Sequence, residues 1–364
     1  MAANTDWEDF PTYSELVHGI RNFVLQLYQD SKAEKNASHS AEPTWQYYNY
    51  STNDLLFVIL LSIIWTVFRH FASEKIFKPL AVQYGLSPTN QAKMPESAWK
   101  FTYYLCAWSF SLYVVVLSGK YTFFQKPSSV WTGWSLGASP PVDIYLMYMG
   151  QCGFYLHSLY ATMFLDQWRK DSLVMMIHHV LTLALISISY LLRYHNIGTL
   201  VLLTHDFCDI LLEFTKLNVY FKIQNGKLIK AHELCANASF LGFSVAWFVS
   251  RLYCYPMRVL YAATYYVQKQ QLELPCALLM NSLLWILQIL NIYWFLFILK
   301  FLYCVATGQV SEVDDIREHD VEEKLIKLRT LSSSSTNGAA KTNDACDDGI
   351  VTNGNAKIRD KKAD

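Results

Sequence analysis

Six side chains within residues 172–216 are of types that do chemistry: His178, His179, His205, Asp206, Asp209 and Glu213. All six sit in two long apolar runs. On insertion scales a carboxylate near the middle of a membrane helix costs roughly 2.5–3.5 kcal/mol, so a chain that keeps several together has a use for them. Asp206, Asp209 and Glu213 follow i, i+3, i+7 spacing, and His205 and Asp209 follow i, i+4, which on a helix makes one stripe facing protein or water rather than lipid. A neutral imidazole beside a carboxylate is held in one tautomer and becomes a better base, as acyl transfer requires. An imidazole can also accept the acyl group itself. Either role passes an acyl group from a thioester to an amine without external energy. A purely structural polar network and a metal site are the rival readings, since His and Asp ligate iron and zinc. Membrane di-iron enzymes distribute several histidine boxes along the chain, whereas this chain has one adjacent pair, so no metal and no cofactor are expected.

The elements that must position these residues are membrane helices. The chain is 364 residues long, 52% hydrophobic and only 16% charged, too apolar for an ordinary soluble domain. Its net charge of zero speaks against nucleic acid as a partner. The eight cysteines are scattered without a C-x-x-C pair, which fits neither a disulfide framework nor a zinc site. Apolar runs of about 20 residues, enough for a ~30 Å hydrocarbon core, fall near residues 54–72, 99–118, 142–164, 172–192, 197–219, 233–254 and 277–305. The fold class expected is therefore all-α, a polytopic membrane protein of about seven transmembrane helices enclosing an intramembrane tunnel. The histidine pair and Asp209 lie at matched depth from one membrane face, so two antiparallel neighbours can bring them together. His157, in the third run, is expected to be a packing residue, and Asp166, Arg169 and Lys170 interfacial charges.

Residues 1–53 read as a lumenal segment with an amphipathic stretch and two glycosylation sequons, at Asn36 and Asn49. With that end lumenal, the cytosolic connections hold Arg69, Lys75, Lys78, Lys93, Arg169, Lys170, Lys216, Lys222, Lys227 and Lys230. The lumenal ones hold Lys120, Lys126, Arg193, Arg251, Arg258 and Lys269, a balance that favours this orientation. Residues 54–96 form the first span and a cytosolic connection, and 309–364 an acidic, serine-containing tail expected to be disordered. The terminal Lys361-Lys362-Ala363-Asp364 matches a dilysine endoplasmic reticulum signal, which acts on a cytosolic C-terminus.

The run Trp168-Arg169-Lys170-Asp171, Met175, His178-His179, Thr182, Ser189-Tyr190, Gly198-Thr199-Leu200-Val201, His205-Asp206, Asp209, Leu212-Glu213 and Lys216 resembles the Lag1 motif of the ceramide synthases. The spans over 97–308 resemble the TLC domain that contains it. Many members carry a homeobox-like segment after the first span and read R-R-K-D-F. Here the connection is too short for one and the chain reads W-R-K-D-S at 168–172, as in the member that lacks the segment. The resemblance implies an N-acyltransferase of the endoplasmic reticulum joining a fatty acyl-CoA, by kinship stearoyl-CoA, to a sphingoid base in membrane lipid. His178, His179, Asp206 and Asp209 would then be catalytic, with His205 and Glu213 as a supporting stripe. We take His178 as acyl acceptor or base, oriented by Asp209. The resemblance also implies homo- or heterodimers, and acyl-length selection by a lumenal loop holding Tyr265, Tyr266 and Gln268. The competing function is a non-enzymatic TLC-domain protein that binds lipid or assists membrane insertion. Such relatives tend to lack the complete histidine and aspartate set found here.

Overall fold

Thr12-Tyr-Ser-Glu15 opens the first helix as a capping box. The Thr12 amide donates to Glu15 Oε2 at 2.7 Å, and the Glu15 amide returns to Thr12 Oγ1 at 3.4 Å. The Thr12 amide first, and then the Thr12 hydroxyl, which also donates to Oε2, hold the Glu15 carboxyl below its usual pKa. The helix, α1 (Tyr13–Asn36), is the amphipathic stretch of the N-terminal segment. The computed structural model describes residues 12–36, 48–49, 51–169, 171–272 and 274–307. The acidic tail, the dilysine ending, Lys170 and the remainder of the Asn36 sequon lie outside the described residues.

The chain then forms α2 (Thr52–Ala72), which runs through a π-turn (Ser73–Phe77) into α3 (Lys78–Gln83). Next come α4 (Pro88–Leu112), α5 (Val142–Phe164), α6 (Ser172–Leu191) and α7 (His195–Phe221). Ser87 caps α4 by accepting from the Asn90 amide, with Pro88 at the first helical position, where a missing N–H costs nothing. After α7 a two-residue hairpin pairs β1 (Ile223–Gln224) with β2 (Lys227–Leu228) in antiparallel register, Ile223 opposite Leu228. Its turn is Asn225-Gly226, both at positive φ, as such a turn demands. α8 (Lys230–Trp247) continues without a break into a π-hydrogen-bonded segment (Phe248–Tyr266) and α9 (Val267–Lys269), and α10 (Ala277–Ala306) closes the fold.

Each of the seven apolar runs coincides with a long helix. Among the described residues five helices are long and apolar enough to cross a membrane: Thr52–Gln83, Pro88–Leu117, Ser172–Leu191, Lys230–Lys269 and Ala277–Val305. The two remaining, α5 and α7, fall short because they carry Gln151 and His157, and Asp206, Asp209, Glu213 and Lys216. Both are interior helices. α7 packs against α4, α8 and the π-segment, and α5 against α2 and α6, so their polar faces meet protein instead of lipid.

Pro256 misplaces one boundary in the sequence reading. The sixth apolar run ends near 254, just before Pro256, and a proline normally ends a helix by removing a hydrogen bond and crowding the preceding turn. The chain instead passes through Pro256 with π-type bonding. Arg251 and Arg258, assigned to a lumenal connection, are consequently buried helix residues, 3% and 8% exposed. Tyr265, Tyr266 and Gln268 are likewise helical, not loop residues. The connection to α10 is confined to residues 270–276.

Close approach holds the site helices together. A Cβ on Gly198 of α7 would lie 1.7 Å from Tyr148 Oη, so only glycine admits that hydroxyl. Tyr148 Oη in turn donates to the His195 carbonyl at 3.1 Å and pairs with Ser189 Oγ at 3.0 Å. The three helices α5, α6 and α7 meet at this point.

Candidate functional site

Successive residues of an α-helix are rotated by about 100°, and this separates the histidine pair. His178 faces a small cavity lined by Tyr155, His178, Thr182, Val201, Leu202, His205, Asp209, Arg251 and Leu287. Its Nδ1 is buried and has no hydrogen-bond partner, and its ring stands edge-on to Trp294 of α10 with centroids 5.2 Å apart. His179 turns toward α5, where Nδ1 meets Thr162 Oγ1 at 3.3 Å and the ring lies against Tyr155. The two imidazoles are thus in different environments, 5.9 Å apart by centroid.

The stripe on α7 divides in the same way. His205 and Asp209 lie at one edge and reach the cavity, while Asp206 and Glu213 lie about 60° further round at the other. Asp209 is gripped by Arg251, whose Nη2 lies 3.0 and 3.1 Å from its two carboxylate oxygens and 2.9 Å from the His205 carbonyl oxygen. The guanidinium also stacks over the Trp247 ring at 4.0 Å. The carboxylate that sequence reasoning paired with His178 therefore shares the cavity with it but takes its hydrogen bonds from Arg251.

His205 is fully engaged. Its Nδ1 lies 2.9 Å from the Val201 carbonyl, which can only accept, so Nδ1 carries the proton. Nε2 then accepts from Asn291 Nδ2 at 3.2 Å. With both nitrogens occupied, this histidine fixes the wall of the cavity and is not available as a base. Asp206 is fully buried and accepts from Gln151 Nε2 at 2.7 Å, and Tyr103 donates to the other end of Gln151 at 3.2 Å. Glu213 is buried and takes Lys216 at 2.8 Å.

At the end of α5 that adjoins the start of α6, Asp166 joins Arg69 at 2.6 Å and Lys100 at 2.9 Å, Lys100 also reaches Glu96 at 2.7 Å, and Arg169 completes the cluster at 3.4 Å from Glu96. Burial alone would raise the Asp166 pKa, but Lys100 and Arg69 overcome it and hold the carboxyl well below the usual carboxylate range. Asp166 and Arg169, read from sequence as interfacial, belong instead to a largely buried lock between α2, α4 and the α5–α6 connection. His157 behaves as a packing residue on one side, with Nδ1 2.9 Å from Thr66 Oγ1. Among the described residues no group of three or more His, Cys, Asp or Glu is placed to hold a metal ion.

Arg251, Gln151, Asn291 and Trp294 are the site residues that sequence reasoning missed. The signal for Arg251 was present, since an arginine between Val249 and Leu252 in an apolar run needs a carboxylate, but its place near the end of the 233–254 run put it with the lumenal connection. At the far end of the same helix, Tyr265 and Gln268 meet α1 instead of a loop. Tyr265 Oη lies 3.3 Å from Glu15 Oε1, Gln268 reaches Gln26 at 3.5 Å, and a Cβ on Gly19 would lie 3.4 Å from that of Tyr265.

Asn49 is also placed differently from a free sequon. Its Nδ2, the atom a glycan would take, donates to the Leu136 carbonyl at 2.5 Å, and its amide to Leu191 at 2.9 Å. Asn49→Gln is expected to leave the electrophoretic mobility of the membrane-expressed chain unchanged. A glycosidase-sensitive shift lost in that variant would show that the site is modified before it packs.

The family model described as the TLC domain matches residues 93–300. The chain is 47% identical to Ceramide synthase 1 of Homo sapiens over 289 residues, covering 79% of this chain and 82% of the relative. It is 45% identical to Ceramide synthase 1 of Mus musculus over 270 residues, covering 74% and 77%. With Ceramide synthase LOH1 of Arabidopsis thaliana it shares 29% identity over 300 residues, covering 75% and 93%.

Proposed function

The chain belongs to the ceramide synthase family of TLC-domain proteins, and we propose that it transfers a fatty acyl group from acyl-CoA to the amine of a sphingoid base, giving ceramide or dihydroceramide and free CoA. The observation that carries this reading to individual residues is the cavity in which His178, with a buried and unpartnered Nδ1, faces Asp209 and Arg251. A nitrogen buried without a partner is costly unless a ligand completes it.

His178 is the group that acts. Either it takes the amine proton as the amine attacks the thioester carbon, or it attacks that carbon itself and hands the acyl group on. In both routes the carbon–sulfur bond breaks, CoA leaves as its thiol, and the amide nitrogen has lost one proton, so the balance needs no further reactant. Asp209, its charge matched by Arg251, fixes the cavity wall that His178 faces. Asp206 acts at a distance by tying α7 to Gln151 of α5, and His179 by seating α6 on Thr162. No cofactor is invoked beyond acyl-CoA as co-substrate.

The finer readings rest on the same frame. Burial of Arg251 and Arg258 removes two charges from the lumenal side of the orientation count, and burial of Arg69 and Lys222 removes two from the cytosolic side. Lys75, Lys78, Lys93, Arg169, Lys170, Lys216, Lys227 and Lys230 are then set against Lys120, Lys126, Arg193 and Lys269, which still supports a lumenal N-terminus and, with seven spans, a cytosolic C-terminus; the endoplasmic reticulum membrane is proposed on kinship. Acyl-CoA would enter from the cytosolic side, and its tail would extend through a tunnel toward the far end of the π-segment. From Arg251 to Tyr265 is 14 residues, at most about 21 Å of helix, close to the length of an 18-carbon tail. Stearoyl-CoA as donor is proposed on kinship. Exchanging residues 265–276 for those of a family member with another preference is expected to shift the acyl-chain profile, read by mass spectrometry of the ceramides formed, while total turnover is kept. An unchanged profile would refute length selection at this end. Pairing with a second ceramide synthase chain is proposed on kinship alone.

The direct test is to express the chain in microsomes that lack this activity and supply sphinganine with acyl-CoAs, adding neither metal nor nucleotide. Ceramide formation over the background of empty microsomes is expected. Its absence from a correctly inserted, folded chain would leave the non-enzymatic lipid-binding reading standing.

A further inference from the structure

A threonine inside a helix ordinarily returns its hydroxyl to the carbonyl one turn back. Thr66, Thr102, Thr204 and Thr215 all do so in this chain, at 2.8–2.9 Å. Thr182 does not. Its residue is 9% exposed, its Oγ1 is buried, and that oxygen has no hydrogen-bond partner. It lines the same cavity as His178, whose Nδ1 is the other unpartnered atom on that wall. The two residues are i and i+4 on α6, so their Cβ atoms are about 5–6 Å apart on one face. That spacing leaves a point within about 3 Å of both the imidazole and the hydroxyl, the geometry that a reacting carbonyl needs between an attacking or proton-taking group and a donor.

We propose that Thr182 is a catalytic residue whose hydroxyl donates to the carbonyl oxygen of the acyl group as that oxygen gains charge. The proposal rests on the acyl-transfer reading above. It holds for either route, because when the amine or His178 attacks the carbonyl carbon, one electron pair of the C=O bond moves onto oxygen. It returns to re-form C=O when the carbon–sulfur or carbon–imidazole bond breaks. The Thr182 proton is shared in a hydrogen bond and stays with Thr182 throughout. A buried donor already held beside the reacting carbonyl needs little reorganisation at the moment of reaction. On the opposite wall Arg251 Nε is buried and also lacks a partner, so a second donor is available from the residue that holds Asp209.

The test compares Thr182→Val with Thr182→Ser in the purified full chain, with His178→Ala as reference. Valine keeps the shape and loses the hydroxyl. Because that hydroxyl makes no bond within the fold, the thermal midpoint is expected to stay at the wild-type value. For Thr182→Val we expect kcat to fall roughly 10²–10³-fold with little change in KM for acyl-CoA, as for removal of one oxyanion donor. Thr182→Ser is expected to recover most of the rate. Wild-type kcat in Thr182→Val, an equal loss in the serine variant, or a loss matched by a lowered thermal midpoint would each overturn the assignment. If His178→Ala also turned over normally, the fault would lie with the acyl-transfer site itself.

Discussion

His178→Ala is expected to reduce acyl transfer by about 10³-fold or more, the usual loss when the acting group of a catalytic unit is removed, while the chain inserts and folds as before. The expectation of a preserved fold follows from the geometry. His178 Nδ1 has no partner in the resting structure, and the ring is held by packing against Trp294, so alanine removes contact area and breaks no buried polar bond. His205→Ala would behave differently, because it strips a partner from both the Val201 carbonyl and Asn291 and leaves buried groups unmet. Activity per folded molecule, measured on purified protein of both variants, separates the two. Normal turnover in His178→Ala would remove the central residue of the proposed mechanism.

Arg251→Met is expected to be the most destabilising single substitution at the site. The guanidinium is 4% exposed and its partner carboxylate 22% exposed, so methionine leaves the Asp209 charge half-enclosed with no cation. Breaking a buried pair from one side costs about 3–5 kcal/mol, and the partial exposure of Asp209 puts this case at the lower end. Adding Asp209→Asn to the same chain removes the stranded charge and is expected to restore much of the thermal midpoint without restoring turnover. The double-mutant cycle would then show coupling in stability, as residues in contact do. Additive losses would mean that the 3.0 Å bond contributes little and that Arg251 acts by packing on Trp247.

Much of this molecule was legible in residue types and their spacing because lipid permits few exceptions. Apolar runs of the right length gave every long helix after α1, and the cost of charge in such runs singled out α6 and α7. What could not be read was direction around the helix axis. Asp206 and Asp209 are three residues apart and equally out of place in lipid, yet one turns to Gln151 and the other to Arg251, a choice made by neighbouring helices far away in the chain. The adjacent histidines are the same case, with about 100° between them and different surroundings. Pro256 concealed the rest. Its usual effect is to end a helix, and only the switch to π-type bonding, which depends on packing over Phe248–Tyr266, lets the chain continue. Glycine spacing gave no warning that Gly198 is where Tyr148 enters.

That uninterrupted helix from Lys230 to Lys269 has a consequence for how the enzyme would measure its substrate. One continuous element carries Arg251 at the cavity and Tyr265 beside α1, so on the proposed reading the point of reaction and the point where a tail would stop are two marks on the same ruler. On the proposed reading, chain-length choice would become a matter of counting residues along this one element, with α1 resting at its far mark.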